Sequence, residues 1–123
     1  MSSVLFVNVN GLRSKMARFL DTIRLLAPIV ACVCEVKALA NSVLLNSVRS
    51  ALATYRVTYF PGRARAGGVL ILTKLCGEVR LLYSGDGEDT SQVVSAMLRM
   101  PDGRMLRVVA VYRNPASKSW NNI

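Results

Sequence analysis

The chain has 123 residues, which is enough for one domain and too few for two. Sixteen Lys and Arg against seven Asp and Glu give a formal net charge of +9, and the sequence contains no histidine. Mechanisms that need an imidazole from this chain, such as a Ser-His-Asp triad or a histidine-ligated zinc, are therefore excluded. Because 52% of the residues are hydrophobic, the sequence is not that of a disordered basic tail.

The first part of the chain alternates predicted strands and helices. The apolar run at 4–9 predicts a buried strand, and apolar residues at helical spacing over 14–27, with Ser14 as a candidate N-cap, predict a helix. The continuous apolar run at 29–34 predicts a second buried strand, and 41–52 a second helix.

The rest of the chain has the pattern of strands, predicted at 55–60, 68–73, 79–83, 91–100 and 105–112. Asp102-Gly103, between the last two, is a strong signal for a hairpin with a two-residue turn. The order β-α-β-α followed by about five strands predicts an α/β (α+β) fold, with a mixed β-sheet and helices on one of its faces.

Cysteine usage and hydropathy indicate the compartment. Cys32, Cys34 and Cys76 are too few, and odd in number, for a disulfide framework, so we expect reduced thiols with Cys32 and Cys34 as small buried hydrophobes. No apolar stretch reaches the ~20 residues of a membrane-spanning helix, and the N-terminus lacks the basic region of a secretory signal. The sequence therefore predicts an intracellular protein of the nucleus or cytoplasm with no membrane partner.

Polar side chains stand where predicted strands end, which is where open α/β sheets place their chemistry. The segments are Asn8-Val9-Asn10-Gly11-Leu12-Arg13, Cys34-Glu35-Val36-Lys37 and Val111-Tyr112-Arg113-Asn114-Pro115. Glu35 is one of only two acidic residues in the first 74 positions, and it ends an otherwise apolar strand. Its carboxylate either forms a salt bridge with Lys37 or Arg13 at the strand edge, or binds a metal ion that prefers oxygen ligands.

These segments, with Arg65-Ala66-Gly67-Gly68-Val69 on the fourth predicted strand, resemble the endonuclease/exonuclease/phosphatase superfamily. Three of the segments are most similar to the endonuclease domains of non-LTR retrotransposons. They are the Asn-x-Asn-Gly-Leu-Arg form that begins at Asn8, the Glu-x-Lys that begins at Glu35, and the segment 65–69. The resemblance implies a phosphodiesterase that uses Mg²⁺, with Mn²⁺ as a possible substitute. It implies that Asn8 and Glu35 hold the metal ion and that these two residues and Tyr112 are catalytic.

The same resemblance implies substrate contacts from Asn10, Arg13, Lys37 and Arg65. Asn10 stands where several branches of the superfamily have Asp, and a neutral amide would contribute less to binding a cation. On the sequence alone, a role without function stays open for two of these residues. Lys37 is then a solvated surface charge, and Tyr112 an ordinary aromatic residue of a strand.

By resemblance, residues 1–116 supply the N-terminal half of a four-layer α/β/β/α sandwich, followed by a polar tail at 117–123. The later Asp-x-Asn and Ser-Asp-His motifs of the family have no counterpart, and loss of a general base alone typically costs about 10²–10⁴-fold in rate. We therefore expect the chain to be weakly active or inactive alone. We also expect one apolar sheet face in water, and hence a homo-oligomer or a pairing with the missing C-terminal half through that face.

Two principal functions follow. One is a DNA endonuclease-like domain of a mobile element; the other is a non-catalytic, basic nucleic-acid-binding remnant. Ten basic against two acidic residues in the first 74 positions favour phosphate contacts in either case, with DNA preferred over RNA as the partner. A phosphatase- or phospholipase-like branch acting on a small phosphoester is a third, less favoured alternative.

Overall fold

The structure is a computed structural model that describes residues 3–39, 42–63 and 66–114. The tail predicted at 117–123 lies outside these residues. The described elements are, in chain order, β1 (Val4–Asn8), α1 (Met16–Leu26), β2 (Val30–Cys34), α2 (Val43–Ala51), β3 (Arg56–Phe60), β4 (Val69–Thr73), β5 (Gly77–Ser84), β6 (Gln92–Arg99) and β7 (Met105–Tyr112).

The first four strands form one mixed sheet in the order β1-β2-β4-β3. Strand β1 runs parallel to β2, whereas β4 is antiparallel to both β2 and β3. Phe19 and Ile23 of α1 and Leu45 and Val48 of α2 bury their side chains in the core on one face of this sheet. The α/β class and the mixed sheet with helices on one face are thus confirmed.

The last three strands form a separate antiparallel sheet in the order β5-β6-β7. It covers the opposite face of the first sheet, so the expectation of a sheet face left open to water is wrong over β2 and β4. The reason is the alternation of side chains along each strand: Ala31 and Leu70 point to the helices, whereas Cys32 and Ile71 point into the core between the sheets. Strands that are apolar on both faces need a layer on each side.

Two local predictions also differ from the structure. Ser14 does not cap α1: it lies within a 3₁₀ turn, Arg13–Lys15, and the N-cap is Lys15, which makes no capping hydrogen bond from its side chain. The β6–β7 hairpin forms as predicted, but the Met100 N–H bonds to the Arg104 carbonyl (2.7 Å), which leaves a three-residue loop with Gly103 at φ +89°.

No helix in the described ranges combines the length and the hydropathy required to cross a bilayer.

Candidate active site

The first two motifs meet because they follow parallel neighbouring strands. Asn8 is paired with Cys34 at the carboxyl ends of β1 and β2. The two chains stay together beyond the sheet, where the Gly11 N–H donates to the Glu35 carbonyl at 2.7 Å. The polar residues that follow each strand are therefore held side by side.

Three residues of these segments have left-handed backbone conformations. Asn10, Glu35 and Lys37 have φ values of +45°, +56° and +58°. Such conformations are uncommon for residues other than glycine, and they persist only where surrounding contacts enforce them. Strain of this kind concentrates at functional sites.

A glycine pair supplies the enforcing contacts. The Gly67 carbonyl accepts from the Lys37 N–H (2.9 Å), and the Gly68 carbonyl accepts from the Val36 N–H (3.2 Å). A Cβ atom on Gly68, at φ +95°, would collide with the Tyr59 hydroxyl. This close approach explains why the segment 65–69 has glycine at position 68.

Tyr112 reaches Glu35 from the other sheet. Its hydroxyl donates a hydrogen bond of 2.7 Å to Glu35 Oε1, between residues 77 positions apart. Burial raises the pKa of Tyr112, the bond to Glu35 raises it further, and a hydrogen bond from Thr90 acts in the opposite direction. The phenol is therefore protonated at neutral pH and donates to the carboxylate. None of the ion pairs among the described residues involves Glu35.

A second network connects the first motif to Lys37. The Lys37 ammonium donates to Asn10 Oδ1 at 2.6 Å, and the Asn10 N–H donates to Asn8 Oδ1 at 3.0 Å. The Lys15 ammonium donates to the Asn10 carbonyl at 3.2 Å. The amide oxygen of Asn10 thus faces an ammonium group, and Lys37 is exposed but bonded to Asn10. The sequence does not identify Lys15 as a site residue, because a lysine in a helical first turn resembles an ordinary surface charge.

A cavity of about 330 Å³ opens between the sheets beside this network. Its lining includes Asn8, Glu35 and Tyr112, so the structure brings the three predicted catalytic residues together. Arg113 also lines the cavity, whereas Arg13 lies exposed in the 3₁₀ turn and does not. Arg65 lies outside the described residues.

The donor set of the cavity suits a hard cation that keeps much of its water. Within residues 3–39, 42–63 and 66–114, no group of three or more His, Cys, Asp or Glu side chains is placed to hold a metal ion. Mg²⁺ is commonly bound through one or two carboxylates, with water and substrate phosphate as its other ligands. Glu35 and the amide of Asn8 fit such a site.

The cysteines near the cavity are not nucleophiles. Burial, with a smaller contribution from Cys34, raises the pKa of Cys32 to about 12. Burial and the neighbouring Glu35 raise the pKa of Cys34. Both thiols are protonated at neutral pH, so they pack as small apolar groups.

The sequence matches no protein-family model and no curated protein. Solved structures do match. The AP endonuclease LMAP from Leishmania major is 20% identical, with a TM-score of 0.69 over 98% of this chain and 43% of its own. The 3' phosphatase NExo from Neisseria, bound to product DNA hairpin, is 17% identical, with a TM-score of 0.70 over 91% of this chain and 41% of its own. The human Nocturnin catalytic domain, with bound sulfate, is 13% identical, with a TM-score of 0.65 over 94% of this chain and 51% of its own.

The chain therefore has the fold of the endonuclease/exonuclease/phosphatase superfamily, as its motifs predict. It spans less than half the length of the first two of these proteins.

Proposed function

We propose that this chain is half of a Mg²⁺-dependent phosphodiester hydrolase of the DNA endonuclease kind found in non-LTR retrotransposons. The observation that supports this most is the hydrogen bond from Tyr112 to Glu35, which joins the two sheets inside a cavity that Asn8 also lines. A carboxylate that could hold a divalent cation, in a chain of net charge +9, suits a phosphodiester substrate.

Each residue has a distinct task in this proposal. Glu35 and Asn8 would hold Mg²⁺, or Mn²⁺ in its place, and the bound cation would supply charge neutralisation at the transferring phosphoryl group. In the free protein Tyr112 donates its one hydroxyl proton to Glu35 and so orients the carboxylate; in the proposed complex with metal and substrate the same hydroxyl would turn to the scissile phosphate. Asn10 holds the Lys37 ammonium beside the substrate backbone. Arg13 and Arg65 add charge for the flanking phosphates.

The machinery is incomplete, since the 123 residues contain no histidine to polarise the phosphate. Hydrolysis by this chain alone is therefore weak or absent. The second candidate, a nucleic-acid-binding remnant without catalysis, is favoured by the same lack of histidine together with the net charge of +9.

A plasmid assay separates the two candidates. Supercoiled DNA is incubated with Mg²⁺ and the wild type, Glu35→Gln or Glu78→Gln; the last is the control, because Glu78 is an exposed carboxylate paired with Arg80 on β5. We expect slow nicking by the wild type and by Glu78→Gln, and a loss of at least about tenfold in Glu35→Gln. DNA binding should be equal in all three and should fall steeply between about 50 and 200 mM salt.

Each other outcome has a defined meaning. Equal nicking by all three proteins would remove Glu35 from the site. Salt-dependent binding without any nicking favours the remnant over a weakly active half-domain, and no DNA binding at low salt contradicts both candidates. Repeating the binding assay with RNA of the same sequence tests the preference for DNA.

We further propose that the side of the sandwich formed by β1 and β7 binds a second copy of this chain; the alternative occupant is the C-terminal half that the resemblance implies. Strands β1 and β7 are edge strands of their sheets, and residues of both line the same cavity. Strand β1 has no charged residue, and Val4 and Phe6 are 40% and 57% exposed. In contrast, the β5 edge has Glu78, Arg80 and a bulge, features that protect an edge from further pairing.

A further inference from the structure

Gln92 is a buried polar side chain between the two sheets. It is the first residue of β6 and only 1% exposed. Its Oε1 accepts from the Gly68 N–H at 3.0 Å, and its Nε2 donates to the carbonyls of Phe60 and Pro61 at 3.2 and 3.3 Å. The amide thus uses both its acceptor and its donor group on the main chain of the other sheet. Gln92 thus connects the end of β3 with the residue that precedes β4.

One peptide unit connects Gln92 to the candidate active site. The N–H of the Gly67–Gly68 peptide is bound by Gln92, and the carbonyl of the same peptide accepts from the Lys37 N–H at 2.9 Å. The next carbonyl, that of Gly68, accepts from the Val36 N–H. Hydrogen bonds on the two sides of one peptide polarise it and strengthen each other. Gln92 therefore sets the orientation of the groups that hold the segment after β2.

That segment needs external support. Glu35 and Lys37 both have positive φ values, so the isolated backbone would relax to another conformation. Relaxation at Glu35 would move its carboxylate away from Tyr112.

We propose that Gln92 is a positioning residue for Glu35, acting through the Gly67–Gly68 peptide. This inference rests on the proposed function only in taking Glu35 as a metal ligand. Glutamine suits the task better than its near-isosteres. A glutamate would turn a carboxylate oxygen toward the two carbonyls, and a methionine would leave the Gly68 N–H buried without an acceptor.

The test compares Gln92→Met and Gln92→Glu with Ser95→Ala, a truncation of another buried polar residue on the same strand. Amide hydrogen exchange by NMR gives the protection of Val36 and Lys37 relative to the amides of α1. We expect exchange at Val36 and Lys37 to be at least about tenfold faster in Gln92→Met, with α1 far less affected. Ser95→Ala should leave the ratio unchanged.

The pH dependence of Gln92→Glu adds a signature that simple destabilisation lacks. A proton on the introduced carboxyl restores one donor toward the Phe60 or Pro61 carbonyl. We therefore expect protection of Val36 and Lys37, corrected for intrinsic rates, to recover as pH falls from about 8 to 6, because burial raises the pKa of such a carboxyl. Wild-type protection should be flat over this range.

A Mg²⁺ titration followed at the Asn8 and Glu35 resonances completes the design. We expect at least about tenfold weaker binding in Gln92→Met than in Ser95→Ala. If the wild type does not respond to Mg²⁺, the proposed metal site is wrong, while the exchange data still test Gln92. Equal loss of protection in α1 and at Val36, or a pH-independent Gln92→Glu, overturns the inference. If Gln92→Met does not fold, the Gln92→Glu titration decides.

Discussion

The side chain of Tyr59 lies directly against Gly68, and hydrogen bonds hold it in place. The Tyr59 hydroxyl beside it donates to the Ala38 carbonyl (2.6 Å) and accepts from the Ala38 N–H (3.2 Å). A methyl group at Gly68 would press on this ring and also require an alanine at φ +95°. Displacing the ring would break both bonds to Ala38.

Gly103 provides a matched control, because its φ is +89° and a Cβ atom there would have no neighbour within 4 Å. Gly103→Ala should lower the free energy of unfolding by about 1–2 kcal/mol, from the left-handed backbone alone. Gly68→Ala should cost a further ~1–3 kcal/mol from overpacking. Urea denaturation measures both values, and equal losses would contradict the role given to Tyr59.

At the residue scale, some members of the candidate site can be predicted from the sequence and others cannot. Asn8 and Glu35 could be found because each lies where an apolar strand ends and belongs to a motif. Gln92 gives only a weak signal, as a polar residue that opens a largely apolar strand. Its partners lie 24 to 32 positions away along the chain, and local periodicity contains no information on such contacts.

At the scale of elements, β1 has the composition of an interior strand but lies at the edge of its sheet. Leu5 and Val7 pack toward the helices, and Val4 and Phe6 face the open cavity side. An exposed edge that is apolar on both faces promotes pairing with another strand.

We therefore expect the wild type to self-associate with rising concentration in sedimentation velocity runs, and Phe6→Lys to shift the population toward monomer. The control is Leu25→Lys, which adds the same charge at a side chain of α1 that is 82% exposed. This variant should sediment like the wild type. A monodisperse wild-type monomer that binds no dye for apolar surface would refute the proposed interface.

At the scale of the whole molecule, the second sheet determines which cysteine side chains are exposed to solvent. Cys32 is 1% exposed in the core between the sheets, and its pKa is raised to about 12, chiefly by burial. Cys76 is exposed. The reactivity of Cys32 thus reports the separation of the two sheets.

Thiol labelling at about pH 8 should modify Cys76 at once and Cys32 at least about 100-fold more slowly, because the thiolate is the reacting form and its population falls tenfold per pKa unit. Mass spectrometry of the peptides gives both rates. In about 6 M urea the rates should converge as the sheets separate. Native labelling of Cys32 as fast as Cys76 would show that β5–β7 do not stay on the first sheet.

The sequence by itself determined the order and type of the elements, the polar segments after β1, β2 and β7, and the basic charge. These depend on the spacing of apolar residues and on motifs a few residues long, which are local. Only the tertiary structure decided that the last three strands form a second sheet, and that Tyr112 thereby meets Glu35 while Gln92 supports it through Gly68. The physical reason is that hydrophobic burial rewards any layer that covers an apolar face, so local patterns do not specify which strand supplies it.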